Sequence, residues 1–177
     1  MKFTETKLAG VFLVEQERHE DERGWFARTW CVDELRAHGI DPEIAQCSAS
    51  FNKTKGTLRG MHWQTAPHEE SKMVRCTRGR MFDVALDVRN GSPTYRQWFG
   101  AELSPENGRA LFIAGGCAHG FQTLEPDTEI EYMISSFYHP ESARGARWND
   151  PAFEIKWPAP DIAQLSDRDA NYPDFPC

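Results

Sequence analysis

Residues 72–89 read KMVRCTRGRMFDVALDVR, and the fold turns on how this stretch is read. Two short runs rich in β-branched, aromatic and other apolar side chains, KMVRCTRG and RMFDVALDVR, meet at Gly79. Runs of this length and content are strands, and the glycine marks a turn. The same texture recurs in VFLVEQE (11–17), EIAQCSASF (43–51), RQWFGAELS (96–104), ALFIAGG (110–116) and EIEYMISSFY (129–138). Further turn signals stand between them: NGSP from Asn90, SPENG from Ser104, and Gly115-Gly116. That spacing predicts hairpins in a sandwich or barrel. A helical pattern is confined to CVDELRAHG (31–39), ending at Gly39 as a C-cap, with a second helical turn in SDRDA from Ser166. The proline-rich tail from Pro158 is expected to wrap the surface without a regular element. The expectation is an all-β, double-sheet fold of jelly-roll type with a few short peripheral helices.

Length and composition fit one domain spanning 1–177. The 177 residues, 40% hydrophobic and 12% aromatic, suffice for one well-buried core and are short for two. No run approaches the roughly 18 apolar residues of a membrane span, and MKFTETKLAG lacks the apolar segment of a secretory signal, so a soluble cytoplasmic protein without a membrane partner is expected. Cys31, Cys47, Cys76, Cys117 and Cys177 are odd in number and form no C-x-x-C pair, which predicts free thiols, mostly core filler. A formal charge of -7 argues against a nucleic-acid partner and leaves room for a small anionic ligand wherever basic residues converge.

The chemistry-bearing residues begin in LRGMHWQ (58–64), a strand that carries Arg59, His62 and Gln64. His119 lies in a second glycine-rich strand context, GGCAHGF. A β-barrel with two histidines so placed resembles the cupins. The His-x-His and the later Asn expected of a metal-binding cupin are replaced by Gln64 and Thr123, so that His62, His119 and Glu69 are a poor metal set and no metal is expected. An organic acid–base site fits better. Imidazole titrates near neutrality, an ammonium stabilises an enolate, a phenol returns a proton and a carboxylate orients the imidazole. His62, Lys72, Tyr132 and Asp169 supply those groups. Each alone has an ordinary reading: a hydrogen-bonded core histidine, an edge lysine, a core tyrosine, a helix-capping aspartate.

Taken in order, DERGWF (21–26), LRGMHWQ, residues 72–95, LSPENG (103–108), GGCAHGFQTL (115–124), EYMISSFY (131–138), WNDPAFEIKWP (148–158) and SDRD (166–169) resemble the successive motifs of the dTDP-4-dehydrorhamnose 3,5-epimerase family. The resemblance runs from about Leu8 to Asp169. It implies a metal-free cupin jelly roll without a cofactor, forming a homodimer with exchanged N-terminal strands and acting on a nucleotide-linked 4-keto-6-deoxyhexose. Carried over by position, it implies that His62 is the base, Asp169 orients it, Lys72 stabilises the enolate and Tyr132 donates the proton. It places Arg23 and Arg59 at the sugar diphosphate, and Phe26, Gln46, His119, Tyr138 and Arg168 along the substrate pocket, with Asp83 aiding histidine geometry.

The chain departs from the family pattern at Arg28, where a Glu is common, at Ser48, where an Asn is common, and at Glu70, where a Gln is common. All three fall in or near the nucleotide and sugar pocket, not among the acid–base residues. Arginine offers donors only, which suits cytosine N3 and O2 better than thymine N3–H, so CDP-linked and dTDP-linked substrates both stay open. So does the choice of C3, C5 or both. The rival readings are a sugar-nucleotide 3,4-ketoisomerase, which would use a different residue set, and a non-catalytic binding cupin, which would be expected to lose part of the His62, Asp169, Lys72, Tyr132 set.

Overall fold

A computed structural model of the chain describes residues 1–159 and 161–176; Cys177 lies outside them. Thirteen strands and two short helices follow in order among the described residues: β1 (Lys2–Glu5), β2 (Phe12–Glu15), β3 (Arg18–Asp21), β4 (Gly24–Ala27), α1 (Val32–Ala37), β5 (Gln46–Asn52), β6 (Leu58–Gln64), β7 (Lys72–Arg78), β8 (Met81–Asp87), β9 (Trp98–Leu103), β10 (Arg109–Ile113), β11 (Cys117–Thr123), β12 (Thr128–Ile134), β13 (Ala143–Gly145) and α2 (Asp167–Ala170). One sheet has the order β1-β2-β10-β7-β12-β5, the facing sheet β13-β6-β11-β8-β9, and β3 and β4 form a hairpin of their own. The strands are antiparallel throughout. This is the expected all-β cupin jelly roll.

The turns divide differently from the expectation. NGSP joins β8 to β9, which pair directly. Gly79, SPENG and Gly115-Gly116 instead lead from a strand of one sheet to a strand of the other, so they are corners and not hairpins. A glycine with positive φ serves both geometries: Gly79 and Gly116 sit at φ 73° and 78°. The local signal is therefore the same, and only sheet membership separates the two. The hairpin turn is held by Asp87, whose carboxylate accepts from Arg89 N at 3.0 Å and from the side chains of Arg89, Ser92 and Thr94. Unread in the sequence were β1, the β3–β4 hairpin and β13, whose segments KFTE, RHED, GWFA and ARG carry too little apolar alternation to signal a strand. The run EIEYMISSFY leaves the sheet at Ile134 rather than continuing to Tyr138.

The core lies between the sheets. Side chains that pair across neighbouring strands share a face, so Val74, Leu111 and Tyr132 stand in one row and Cys76 and Ile130 in the next. With Leu8, Met81, Leu103, Phe121 and others they form one buried cluster. Met61 and Phe121 are core residues, as their apolarity suggested. Both expected helices form: α1 ends before Gly39 at φ 71°, and Ser166 caps α2 by accepting from Asp169 N at 3.1 Å. The four described cysteines are free thiols. Burial pushes those of Cys76 and Cys117 up to about 12, so they are inert filler, whereas Cys47 is exposed on the edge strand β5 and fills no core. Among the described residues no helix is long and apolar enough to cross a membrane.

Candidate active site

The site is built where β6 crosses β11. His62 and His119 are direct cross-strand partners, and between them and the next pair, Arg59 and Phe121, the register shifts. Gly60 makes that irregularity possible. It sits at φ 119°, and a Cβ there would lie 2.5 Å from Gly120 Cα. Each histidine then finds its own carboxylate. His62 Nε2 meets Asp169 Oδ1 at 2.6 Å, and His119 Nε2 meets Asp83 Oδ1 at 2.6 Å. The ionised Asp169 carboxylate can only accept, so in the neutral His62 imidazole Nε2 carries the proton and Nδ1 keeps the lone pair.

The two dyads differ in access. The His62 side chain is 41% exposed with its aspartate only 5% exposed behind it, whereas His119 and Asp83 are 7% and 0% exposed. Of the two imidazoles, only that of His62 is open to solvent. Asp169 does not cap α2; Ser166 does, freeing the aspartate side chain for His62 and for Gly60 N at 3.3 Å. Burial alone would raise the Asp169 carboxyl, but the His62 imidazole, the Gly60 amide and the Ser166 hydroxyl outweigh it and hold the group below its ordinary value of 3.8. On the other side of the imidazole, the Tyr172 ring packs edge-on at 6.1 Å. It occupies the space over Gly145, the residue paired with His62 on β13.

The facing sheet supplies the remaining groups. Tyr132 on β12 reaches across to His119, with ring centroids 6.0 Å apart, and its hydroxyl lies 3.1 Å from Ser50 Oγ. Burial pushes the Tyr132 phenol up to about 12, so it stays an O–H donor. Lys72 opens β7 and bonds Glu70 Oε1 at 2.6 Å. A cleft of about 560 Å³ is lined by His62, Asp169, Arg59, Arg168 and Lys53, and a neighbouring one of about 230 Å³ by His62, Lys72, Gln46, Tyr138 and Arg168. His62 belongs to both. Ser48 pairs with Tyr132 in register and shares its face.

Of the expected residues, His62, Asp169, Lys72, Arg59, Gln46, Tyr138 and Arg168 line the two clefts; Tyr132, Ser48 and His119 line neither, although Tyr132 stands against His119 and pairs with Ser48; and three others lie apart. Arg23, expected at the sugar diphosphate, projects on the β3–β4 hairpin, 90% exposed and paired with Asp21 in a surface salt bridge at 2.6 Å. Phe26 is 75% exposed on the same hairpin. Arg28 follows it and pairs with Glu34 at 2.7 Å, not with Glu22. None of the three lines either cleft around His62 in its own chain. A polar hairpin outside both sheets carries them away from it. The sequence reading missed Lys53, Ser50 and Tyr172. Ser50 was findable as the next same-face residue after Ser48 on a period-2 strand. Nothing local marks Lys53 or Tyr172. As for ion binding, the one group of three ligand-type side chains drawn together among the described residues is His68, His139 and Glu141, which includes none of His62, His119 and Glu69.

Comparison with known proteins matches the family model described as dTDP-4-dehydrorhamnose 3,5-epimerase to residues 5–176. The chain belongs to this family. It is an isomerase of the epimerase class. A dTDP-4-dehydrorhamnose 3,5-epimerase of Sinorhizobium fredii is 43% identical over 173 residues, covering 98% of this chain and 89% of the relative. The crystal structure of the Elizabethkingia anophelis enzyme of that name superposes with a TM-score of 0.95 at 34% identity, covering 99% and 96% of the two chains. A 3'-monoepimerase from Streptomyces bikiniensis, solved in complex with dTDP-quinovose, gives a TM-score of 0.88 at 32% identity, covering 96% and 85%.

The depressed Asp169 titration sets a pH test on this epimerase. A carboxylate held below its unfolded value stabilises the fold above that value and loses the contribution as pH falls through the folded one. Urea unfolding of the native protein and of Asp169→Asn should therefore show a stability gap that is full at pH 6 and shrinks below roughly pH 4. A gap that stays constant from pH 6 to pH 3 would contradict the geometry.

Proposed function

We propose that this epimerase inverts C3, C5 or both in a nucleotide-linked 4-keto-6-deoxyhexose, with His62 as base and Tyr132 as proton donor. The observation that carries the reading is their opposition: the oriented, accessible imidazole stands on one sheet and the protonated phenol on the other. Nδ1 of His62 takes the proton from the carbon beside the C4 ketone, and the C–H electron pair moves to the carbonyl oxygen. Lys72 donates to the enolate oxygen that forms, because an unassisted imidazole is too weak a base for such a carbon. Tyr132 then delivers its proton to the other face of the same carbon, which inverts it. Arg59, Arg168 and Lys53 at the cleft wall suit the diphosphate. A 3'-monoepimerase and 3,5-epimerases stand alike among the relatives, so the number of inverted carbons rests on how the ring turns in the cleft.

We also infer a dTDP-linked substrate, since the guanidinium that would favour cytosine is engaged by Glu34. The resemblance supports a homodimer with exchanged N-terminal strands; we infer that the exchanged element is the β3–β4 hairpin, which would carry the exposed Arg23 and Phe26 to a second copy. β1 itself pairs with β2 of its own chain.

In deuterated water, NMR should show solvent deuterium entering beside the ketone. His62→Asn should slow that exchange at least about a hundredfold, and Tyr132→Phe should slow inversion more than exchange. Near-normal exchange without His62, or equal loss of both rates without Tyr132, would refute the assignments. Calorimetric titration should give tighter binding of dTDP than of CDP, and the reverse order would return the base preference to Arg28. Mixing inactive His62→Asn with Arg23→Ala protein should restore part of the activity if hairpins are exchanged, because a mixed dimer then holds one intact site. No recovery in a mixture shown to exchange subunits would rule the exchange out.

A further inference from the structure

Lys72 is the one catalytic candidate whose position is set by a long, flexible stem, and the structure shows what holds it. Its ammonium bonds Glu70 Oε1 at 2.6 Å, with the two side chains only 11% and 12% exposed. The other oxygen, Glu70 Oε2, accepts from Gln64 Nε2 at 3.2 Å. Gln64 is 2% exposed; its Nε2 has two hydrogens for three acceptors, Glu70 Oε2, His68 O at 2.9 Å and Phe137 O at 3.0 Å, so one N–H is shared, and its Oε1 accepts from His139 N at 2.6 Å. It thereby ties together the loops before β7 and after β12. The same loops are fastened again by Ser71 N to Ser135 Oγ at 2.9 Å and by the stacked rings of His68 and His139, 3.5 Å apart. Glu70 is mounted on this frame. His62, Gln64, Glu70 and Lys72 all line the same small cleft.

We propose that Glu70 is a positioning residue of the reaction, pinning the Lys72 ammonium beside His62 so that it meets the developing enolate oxygen already in place. The inference rests on the epimerase reading of the cleft. A lysine side chain has many rotamers to lose, and a donor that must still be ordered as charge develops stabilises it less than one fixed beforehand. The Gln64–Glu70 bracket orders it in the resting enzyme. A surface ion pair would have little such effect, but this pair is nearly enclosed and one of its members is anchored on a buried amide.

Steady-state deuterium exchange, with kcat and KM resolved, tests it. The native enzyme comes first: no exchange there would overturn the epimerase reading itself, independently of Glu70. Given exchange, Glu70→Ala should lower kcat roughly tenfold to a hundredfold, the loss that misplacing a reacting group by about an ångström brings, with KM unchanged because the contact is made only to the enolate. Glu70→Gln keeps one oxygen that can accept from Nζ but sets an NH2 against Gln64 Nε2, so it should lose kcat, though less than Glu70→Ala. Glu70→Asp keeps the charge but falls a methylene short, so it should lose kcat as well, and it serves where the alanine variant does not fold. In a Lys72→Ala background, Glu70→Ala should cost nothing further, because a residue acting through Lys72 has nothing left to position. An unchanged kcat in both Glu70→Ala and Glu70→Asp, a raised KM at native kcat, or a full additional loss in the Lys72→Ala background would each overturn the proposal.

Discussion

A single carboxylate, that of Asp169, joins the end of the chain to its chemistry. It is buried, and a buried charge without partners is strongly destabilising. Its partners are all on or beside β6 or at the start of α2: the His62 imidazole, the Gly60 amide and the Ser166 hydroxyl at its own backbone nitrogen. Satisfying it brings α2 against β6 and closes one wall of the larger cleft with Gln164, Leu165 and Arg168. The same bond sets the tautomer of the neutral His62 imidazole. Fold closure and tautomer selection are thus one interaction.

The cleft that results reverses the sign of the molecule. The chain is formally -7, yet Lys53, Arg59, Arg144 and Arg168 are gathered around His62. At close range the local charge dominates what an approaching ligand meets, since distant exposed charges are screened over about 10 Å at 0.1 M salt. Beneath the basic rim the site holds its acidic groups in defined states: Asp169 ionised, and the Tyr132 phenol protonated by burial.

Much of this was legible in the sequence, for reasons that are local. Alternating apolar residues marked most strands, because a strand with one buried face must repeat every second residue. Ser166 and Gly39 marked helix ends, because a capping hydroxyl and a left-handed backbone are properties of single residues. His62, Lys72, Tyr132 and Asp169 could be named from motif order; His62, Lys72 and Asp169 line two adjoining clefts that share His62, and Tyr132 packs against His119 across the sheets. The hairpin residues Arg23, Phe26 and Arg28 could be named too, but not located.

What the chain determined by itself is the set of strands, turns and chemical groups, each specified by neighbours a few residues away. What only the tertiary structure decided is which groups meet. Whether Gly79 closes a hairpin or turns a corner depends on which sheet receives β8. That His62 is paired with a residue 107 positions later, that His119 finds Asp83 rather than a metal-ligand set, and that Glu70 is bracketed by Gln64 follow from the packing of two sheets and a tail. Hydrogen bonds and ion pairs act over a few ångströms of space whatever the separation along the chain, so local sequence patterns leave such pairings unmarked until the backbone has brought them together.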